Sequence, residues 1–329
     1  LPSQACRHGK RYLYFSVQAR HLNNAVFEAV IYCNANNPHK KDAVMSASPS
    51  QSTETMIAKD GTPLFTRHFP AGSDPRACMV IVHGLCEHSG RYEQMAEFLN
   101  ERGIRVTAYD QRGHGQSGGS RGHVQDFDHL TDDLMQVIQK CRQQMDENVP
   151  VLVLGHSMGG LVVLRFAQRF GDTVSGVIAS SPALAPAVSI PPVKAALGRL
   201  MSRIRPQLTF DNQLAPEHIS HDDSVVQAYI NDPLVLGRVS ARLFTEMTKT
   251  MERTNQDAPV LSIPLLLQAA GDDRLVDPGA CRKFFEHIGA SDKTLHVYPG
   301  LFHEIYNEEP SRRQQVLTDL EVWLESHVR

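Results

Sequence analysis

Seventeen residues in the middle of the chain, VLVLGHSMGGLVVLRFA from Val151 to Ala167, restrict the fold more than any others. Val151–Leu154 is an aliphatic, β-branched run of the kind that forms a strand buried on both faces. From Leu161 to Phe170 apolar residues recur three and four apart, which is the helical period. A strand that enters a helix with almost no loop must turn sharply, and the residue at the apex takes a strained backbone conformation. Its neighbours two positions away cannot carry bulk, and Gly155 and Gly159 stand there on either side of Ser157. The G-x-S-x-G pattern, set between strand and helix, holds one hydroxyl in the open. The alternative is a glycine-rich turn whose serine only caps the helix.

The rest of the 329 residues divide by rhythm. Residues 1–52 match nothing that follows and read as an extension and linker, partly disordered, rich in turn formers towards their end. From Glu54 the chain is orderly. TMIAKDGTPLFTRHF carries a hairpin signal at Asp60-Gly61. Strand-like runs CMVIVHG, IRVTAYD, VPVLVLG and VSGVIASSP then alternate with amphipathic helical segments. That alternation predicts a mostly parallel sheet covered by helices, with ligands gathering beyond the carboxyl ends of the strands. Between about 183 and 256 prolines cluster and helical segments replace strands, so this stretch reads as a helical cap inserted into an α/β core of residues 53–182 and 257–329. Within it, PPVKAALGRLMSRIRP (191–206) lines up Val193, Ala196, Leu197, Leu200, Met201 and Ile204, with Lys194, Arg199, Arg203 and Arg205 between them. Such a stripe either packs on the core or rests on a membrane surface beside anionic head groups.

Composition removes several classes of function. Acidic residues slightly outnumber basic ones, 36 to 33, so no overall field draws the chain to nucleic acid. The sixteen histidines form no H-E-x-x-H or similar cluster, and no metal is expected. Cys6, Cys33, Cys78, Cys86, Cys141 and Cys281 form no C-x-x-C pair, which points away from zinc and towards a reducing cytosol. No apolar run approaches the roughly 18–20 residues of a membrane span. DQRGHGQSGG lacks the G-K-[ST] ending of a phosphate-binding loop, and its glycines are expected to serve tight turns, with Arg112 and His114 structural.

A serine hydroxyl is a weak nucleophile and needs a base, which in turn needs an orienting acid. With a serine at such a turn, both partners are expected on loops after late strands, acid before histidine. GDDRLVDPGA after IPLLLQAA offers Asp272, Asp273 and Asp277, among which spacing cannot choose. LFHEIYNE after KTLHVYPG offers His303. Two backbone N–H groups are candidates to receive a developing oxyanion: that of Met158, at a helix N-terminus, and that of Leu85, in the loop after CMVIVHG.

HGLCEHSGRY, YDQRGHGQSGG, GHSMGG, YINDPL, GDDRLVD and GLFHEIYNE, in this order, resemble the motifs of the monoacylglycerol lipase and lysophospholipase group of α/β-hydrolases over about residues 54–329. The resemblance implies the α/β-hydrolase fold, a triad of Ser157, Asp273 and His303, and no cofactor. It also implies a glycerol end met by Glu87, Arg91, His156 and Tyr229. Cys86 stands where the group usually has glycine. The activity implied is cleavage of a single-chain lipid ester, monoacylglycerol, through an acyl-enzyme on Ser157. The alternatives are a lysophospholipase, a carboxylesterase for small esters, and a binding protein that kept only the fold. Cysteine usage sets the chain in the cytoplasm, and its apolar stripe with flanking basic residues makes segment 191–206 the candidate for peripheral membrane contact.

Overall fold

In the computed structural model, residues 51–188 and 191–328 are described. Nearly all of the expected N-terminal extension, residues 1–52, therefore lies outside the described residues. The last residue of that expected segment, Ser52, already belongs to strand β1, which spans Ser52–Ile57. It turns at Asp60-Gly61 into the antiparallel strand β2, Pro63–Phe69, with Ile57 opposite Pro63.

The alternation then unfolds as β3 (Ala77–Val82), α1 (Glu93–Asn100), β4 (Ile104–Tyr109), α2 (Asp128–Arg142), β5 (Val151–His156), α3 (Met158–Phe170) and β6 (Gly176–Ser180). Helix α3 begins directly after Ser157, three residues earlier than its apolar period suggests. Gly159 and Gly160 have no side chains to report that period. After β6 the chain leaves the sheet and builds α4 (Pro192–Ile204), β7 (Thr209–Asp211), α5 (Asp223–Asn231), β8 (Arg238–Ser240) and α6 (Ala241–Gln256). It returns with β9 (Leu265–Ala270), α7 (Pro278–His287), β10 (Lys293–Tyr298) and α8 (Pro310–His327).

Eight strands form one sheet in the order β1-β2-β4-β3-β5-β6-β9-β10. From β4 to β10 every pairing is parallel, and β1 and β2 run antiparallel at one edge. Strand β3 sits between β4 and β5, so the chain moves one way across the sheet after β3 and the other way after β4. That reversal opens a crevice beyond the carboxyl ends of β3 and β5, the general ligand position in such sheets.

Each face has its own apolar layer, and a single strand serves both. Along β3, Cys78, Val80 and Val82 join α2 and α3 on one side. Ala77, Met79 and Ile81 join α1 and α8 on the other. All six residues are fully buried. This explains why CMVIVHG reads as an unbroken apolar run rather than an alternating one.

The insertion adds one feature that the sequence did not show and narrows one reading that it left open. Strands β7 and β8 pair into a short antiparallel ribbon, with Phe210 opposite Val239. At three residues each, they are too short for alternation to show in the sequence. Of the two readings of the α4 stripe, packing on the core does not hold for Val193, Leu200 and Ile204, while Leu197 and Met201 line a cavity. Val193, Leu197, Leu200 and Ile204 are 80%, 57%, 51% and 64% exposed, and α4 instead turns Ser202 inward against α6. Among the described residues, no helix is long and apolar enough to cross a membrane.

The apolar layers set the stability. Leu134, fully buried on α2, is expected to cost about 2–5 kcal/mol when replaced by alanine. Val322, 67% exposed on α8, is expected to stay within about 0.5 kcal/mol. Urea denaturation of Leu134→Ala and Val322→Ala checks both; equal midpoints would contradict this account of the core.

Candidate active site

The turn between β5 and α3 is as tight as its glycines suggest. Ser157 has φ 53° and ψ −116°, a conformation that side-chain-bearing residues rarely adopt. A Cβ on Gly155 would run into the backbone of Gly159, and one on Gly159 into the carbonyl oxygens of Val82 and His83. Glycine at both positions lets α3 start against the end of β3. The apex is clamped to the end of β6: Ser157 N–H donates to Ser180 O at 3.0 Å, and Ser157 O accepts from Leu161 and Ala183, each at 3.0 Å. The Ser157 side chain makes no capping bond to α3, so the helix-cap alternative does not hold. Instead Ser157 lines a cavity of about 620 Å³.

His303 lies in the loop after β10, and the same cavity reaches it. Its Nδ1 is 2.7 Å from Asp273 Oδ2, in the loop after β9. Asp273 Oδ1 accepts the backbone N–H groups of Leu275 and Val276 at 2.9 and 3.0 Å, which fixes the carboxylate towards the imidazole. The three candidate acids are thereby separated. Asp272 is exposed, and Asp277 caps α7 by accepting Gly279 N–H at 2.8 Å. Burial opposes charge on both partners, yet the pair overcomes it. The Asp273 carboxylate, with Glu304 and Glu87 farther off, holds His303 above its ordinary value. His303 and the two backbone donors hold Asp273 below its own. With Nδ1 so engaged, Nε2 of His303 has no hydrogen-bond partner among the described residues.

The backbone N–H groups of Leu85 and Met158 also have no partner among the described residues, and both residues line the cavity. Beside Leu85, Cys86 adopts the left-handed region at φ 65°, where glycine would be at ease. Its carbonyl accepts Leu236 N–H of the insertion at 2.8 Å. The thiol is fully buried, and burial pushes it up to about 11, so it is not a thiolate at neutral pH.

Glu87, His156 and Tyr229 line the cavity; Arg91 does not. The Arg91 guanidinium is held between two carboxylates, 2.7 Å from Glu87 and bidentate to Glu304 at 2.6 and 2.8 Å, and lies 4.9 Å from the Tyr229 ring. Glu87 also accepts Gly84 N–H and the Tyr92 hydroxyl. Burial pushes Glu87 up, but Arg91 and the nearby histidines bring it down to about 2. His156, with its ring 4.7 Å from that of His303, is lowered to about 4 by burial and by the charge of His303, so it is neutral at pH 7. Glu304 was not singled out by sequence reasoning. Its only signal was a carboxylate next to a candidate base, and its true partner is 213 residues away. Also missed were the insertion residues that wall the cavity, among them Leu208, Phe210, Phe244, Met247 and Met251, beside Met201 from the α4 stripe.

A family model described as Hydrolase_4, serine aminopeptidase S33, matches residues 73–310. The chain belongs to this family. It is 32% identical over 282 residues to the monoacylglycerol lipase of Mycolicibacterium smegmatis, covering 85% of this chain and 99% of that one. An uncharacterized abhydrolase domain-containing protein of Dictyostelium discoideum is 33% identical over 281 residues, 85% of this chain; the chain spans 29% of that longer protein. Among solved structures, the monoacylglycerol lipase of Paleococcus ferrophilus superposes with a TM-score of 0.74 at 36% identity, over 80% of this chain and 99% of the other. As a family member the chain is a serine hydrolase with the α/β-hydrolase fold.

With His303 taken as the candidate base, its electrostatics lead to an expected pH dependence for a hydrolase of this family. A base must be neutral to accept a proton, so kcat/KM is expected to fall on the acid side with a midpoint above 6.5, the ordinary histidine value. Asp273→Asn removes the foremost group raising His303. It is expected to move that midpoint to lower pH and to reduce kcat by about 10³–10⁴-fold. A pH–rate profile with a soluble short-chain ester checks both; an unmoved midpoint would break the assigned coupling.

Proposed function

We propose that the protein hydrolyses monoacylglycerols to glycerol and free fatty acid, with Ser157, His303 and Asp273 as its triad. One observation carries the reading: Ser157 opens on the cavity that also takes in His303, polar Glu87, His156 and Tyr229, and an apolar wall supplied by residues 183–256. A glycerol head needs hydrogen-bonding groups near the ester, and a single acyl chain needs an apolar lining. The lipase names of the relatives agree with this chemistry.

In the proposed mechanism, Ser157 Oγ attacks the ester carbonyl carbon while His303 Nε2 takes the hydroxyl proton. The backbone N–H groups of Leu85 and Met158 receive the oxyanion, and donors of this kind typically contribute a few kcal/mol each. The bond from carbonyl carbon to glycerol oxygen breaks, and His303 returns the proton to that oxygen. Water, deprotonated by His303, then attacks the acyl-enzyme and frees the fatty acid and Ser157. Asp273 holds the imidazole and balances its transient charge.

The charges favour a neutral head group. Glu87, Arg91 and Glu304 together carry one negative charge, since two carboxylates face one guanidinium. A phosphodiester would meet that charge at a cost. The α-ammonium of a peptide would need a free carboxylate, and both Glu87 and Glu304 are already engaged by Arg91. Glu87, His156 and Tyr229 are assigned to the glycerol end, with Arg91 acting on it through Glu87 and Glu304.

Residues 183–256 are assigned as a cap. The exposed residues Val193, Leu200 and Ile204 of α4 are assigned to contact with a lipid surface, from which the substrate is taken up, with Leu197 between them and the cavity. This gives a water-facing enzyme with peripheral membrane contact, working from the cytoplasm.

Ser157→Ala is expected to stay folded and to lose at least about 10³-fold of its hydrolysis of long-chain monoacylglycerol. Roughly wild-type turnover by the folded variant would end the serine mechanism. Assays on matched monoacyl substrates, glycerol against phosphocholine, check the head-group assignment; faster cleavage of the phosphocholine substrate would reverse it. For the cap, Leu200→Asp is expected to leave the melting temperature nearly unchanged, because the side chain faces water. It should weaken liposome binding and vesicle hydrolysis yet spare a soluble short-chain ester. A large drop in melting temperature, with both substrates equally affected, would remove the membrane role.

A further inference from the structure

Glu308 is fully buried, lies outside the cavity lining, and has no part in the mechanism above. It closes the LFHEIYNE loop two residues before α8. Its Oε1 accepts the backbone N–H of Phe302, the residue before His303, at 2.6 Å. The same oxygen is 2.8 Å from His221 Nδ1, and Oε2 accepts His221 N–H at 2.9 Å. Residues 219–221 belong to the insertion. They are joined to this loop again by Glu304 N–H donating to Ile219 O at 2.8 Å and by Ser220 Oγ donating to Asn307 O at 2.9 Å. The His221 ring stacks on that of Phe302, with centroids 3.7 Å apart. Phe302 also lies under the guanidinium of Arg274, the residue after Asp273. Among the described residues, His221 is the one basic side chain that pairs with Glu308.

A carboxylate is costly to bury, and a merely structural tie could be made by a backbone carbonyl or an amide. Glu308 instead receives donors from both sides of a junction. One side is insertion backbone beside Ile219, which walls the cavity. The other is the peptide that carries the base. We propose that Glu308 is a positioning residue. It locks His221 of the insertion to the backbone of Phe302, so that His303 is aligned on Ser157 only while this part of the insertion is seated. This rests on the reading of Ser157 and His303 as nucleophile and base. It assigns the insertion a second task beyond holding the acyl chain.

The test compares Glu308→Ala, Glu308→Gln and His221→Phe with the wild type on a soluble short-chain ester that does not need the acyl wall. Glu308→Ala removes the acceptor of the backbone N–H groups of Phe302 and His221 and frees Phe302. It is expected to lower kcat by about 10–100-fold with KM within about twofold, and to slow labelling of Ser157 by a fluorophosphonate in parallel. Glu308→Gln keeps an acceptor for Phe302 and is expected to recover most of that loss. His221→Phe keeps the ring stack but not the bond, and is expected to lower kcat by about threefold or more. A lower melting temperature with unchanged kcat per folded molecule would make Glu308 a stabilising residue only and overturn the proposal. If Glu308→Ala does not fold, unchanged kcat in His221→Phe overturns it equally. Failure of the wild type to label, or full activity of Ser157→Ala, would instead sink the triad reading itself.

Discussion

The first turn of α3 lies against the last peptides of β3, closer than any side chain at Gly159 would permit. Everything in the site depends on that approach. It sets the apex of one strand–helix turn beside the loop that leaves the neighbouring strand, at the place where strand order reverses. Ser157 and the free N–H groups of Met158 and Leu85 thus come together through backbone geometry rather than through long side chains. The strain at Ser157 is borne by rigid neighbours. Its N–H and carbonyl are tied to Ser180, Leu161 and Ala183, and the flanking strands β3, β5 and β6 are fully buried.

Around this frame, charge is arranged in pairs that control one another. Arg91 lies between Glu87 and Glu304, and against the upward push of burial it holds Glu87 well down in the carboxylate range. Their remaining negative charge acts on His303 in the same sense as Asp273. His156, a ring away, is pushed to neutrality by burial and by that same histidine. Two histidines in contact therefore take opposite preferences, one towards the charged form and one away from it. Their environments produce this difference, and the sequence around each shows little of it.

What the sequence made legible follows the range of the interactions. The turn at Ser157 is local, and so are the hairpin at Asp60-Gly61 and the buried strands, whose apolar runs need no distant partner to be recognised. Which of three acids meets His303 was open from spacing, because the contact that Asp273 makes crosses 30 residues. The role of Arg91 was hidden for the same reason. Next to Glu87 in sequence it resembles a surface pair, and only the fold adds Glu304 from the far end of the chain. Strands β7 and β8 escaped because three residues carry no period. The outward stripe of α4 was ambiguous in principle, since an amphipathic pattern reports that a helix has two sides without saying which one meets protein.

The cavity is built from two sources with different duties. The sheet and its loops supply Ser157, His303, Leu85 and Met158, whereas Met201, Leu208, Phe210, Phe244, Met247 and Met251 all come from the insertion between β6 and β9. A substitution that lengthens, narrows or re-lines the acyl wall can therefore arise in one continuous stretch of sequence without disturbing a strand pairing or the strained turn. Such an arrangement allows substrate range to drift quickly while the chemistry stays still, and relatives of this fold can diverge most in the part that decides what they accept.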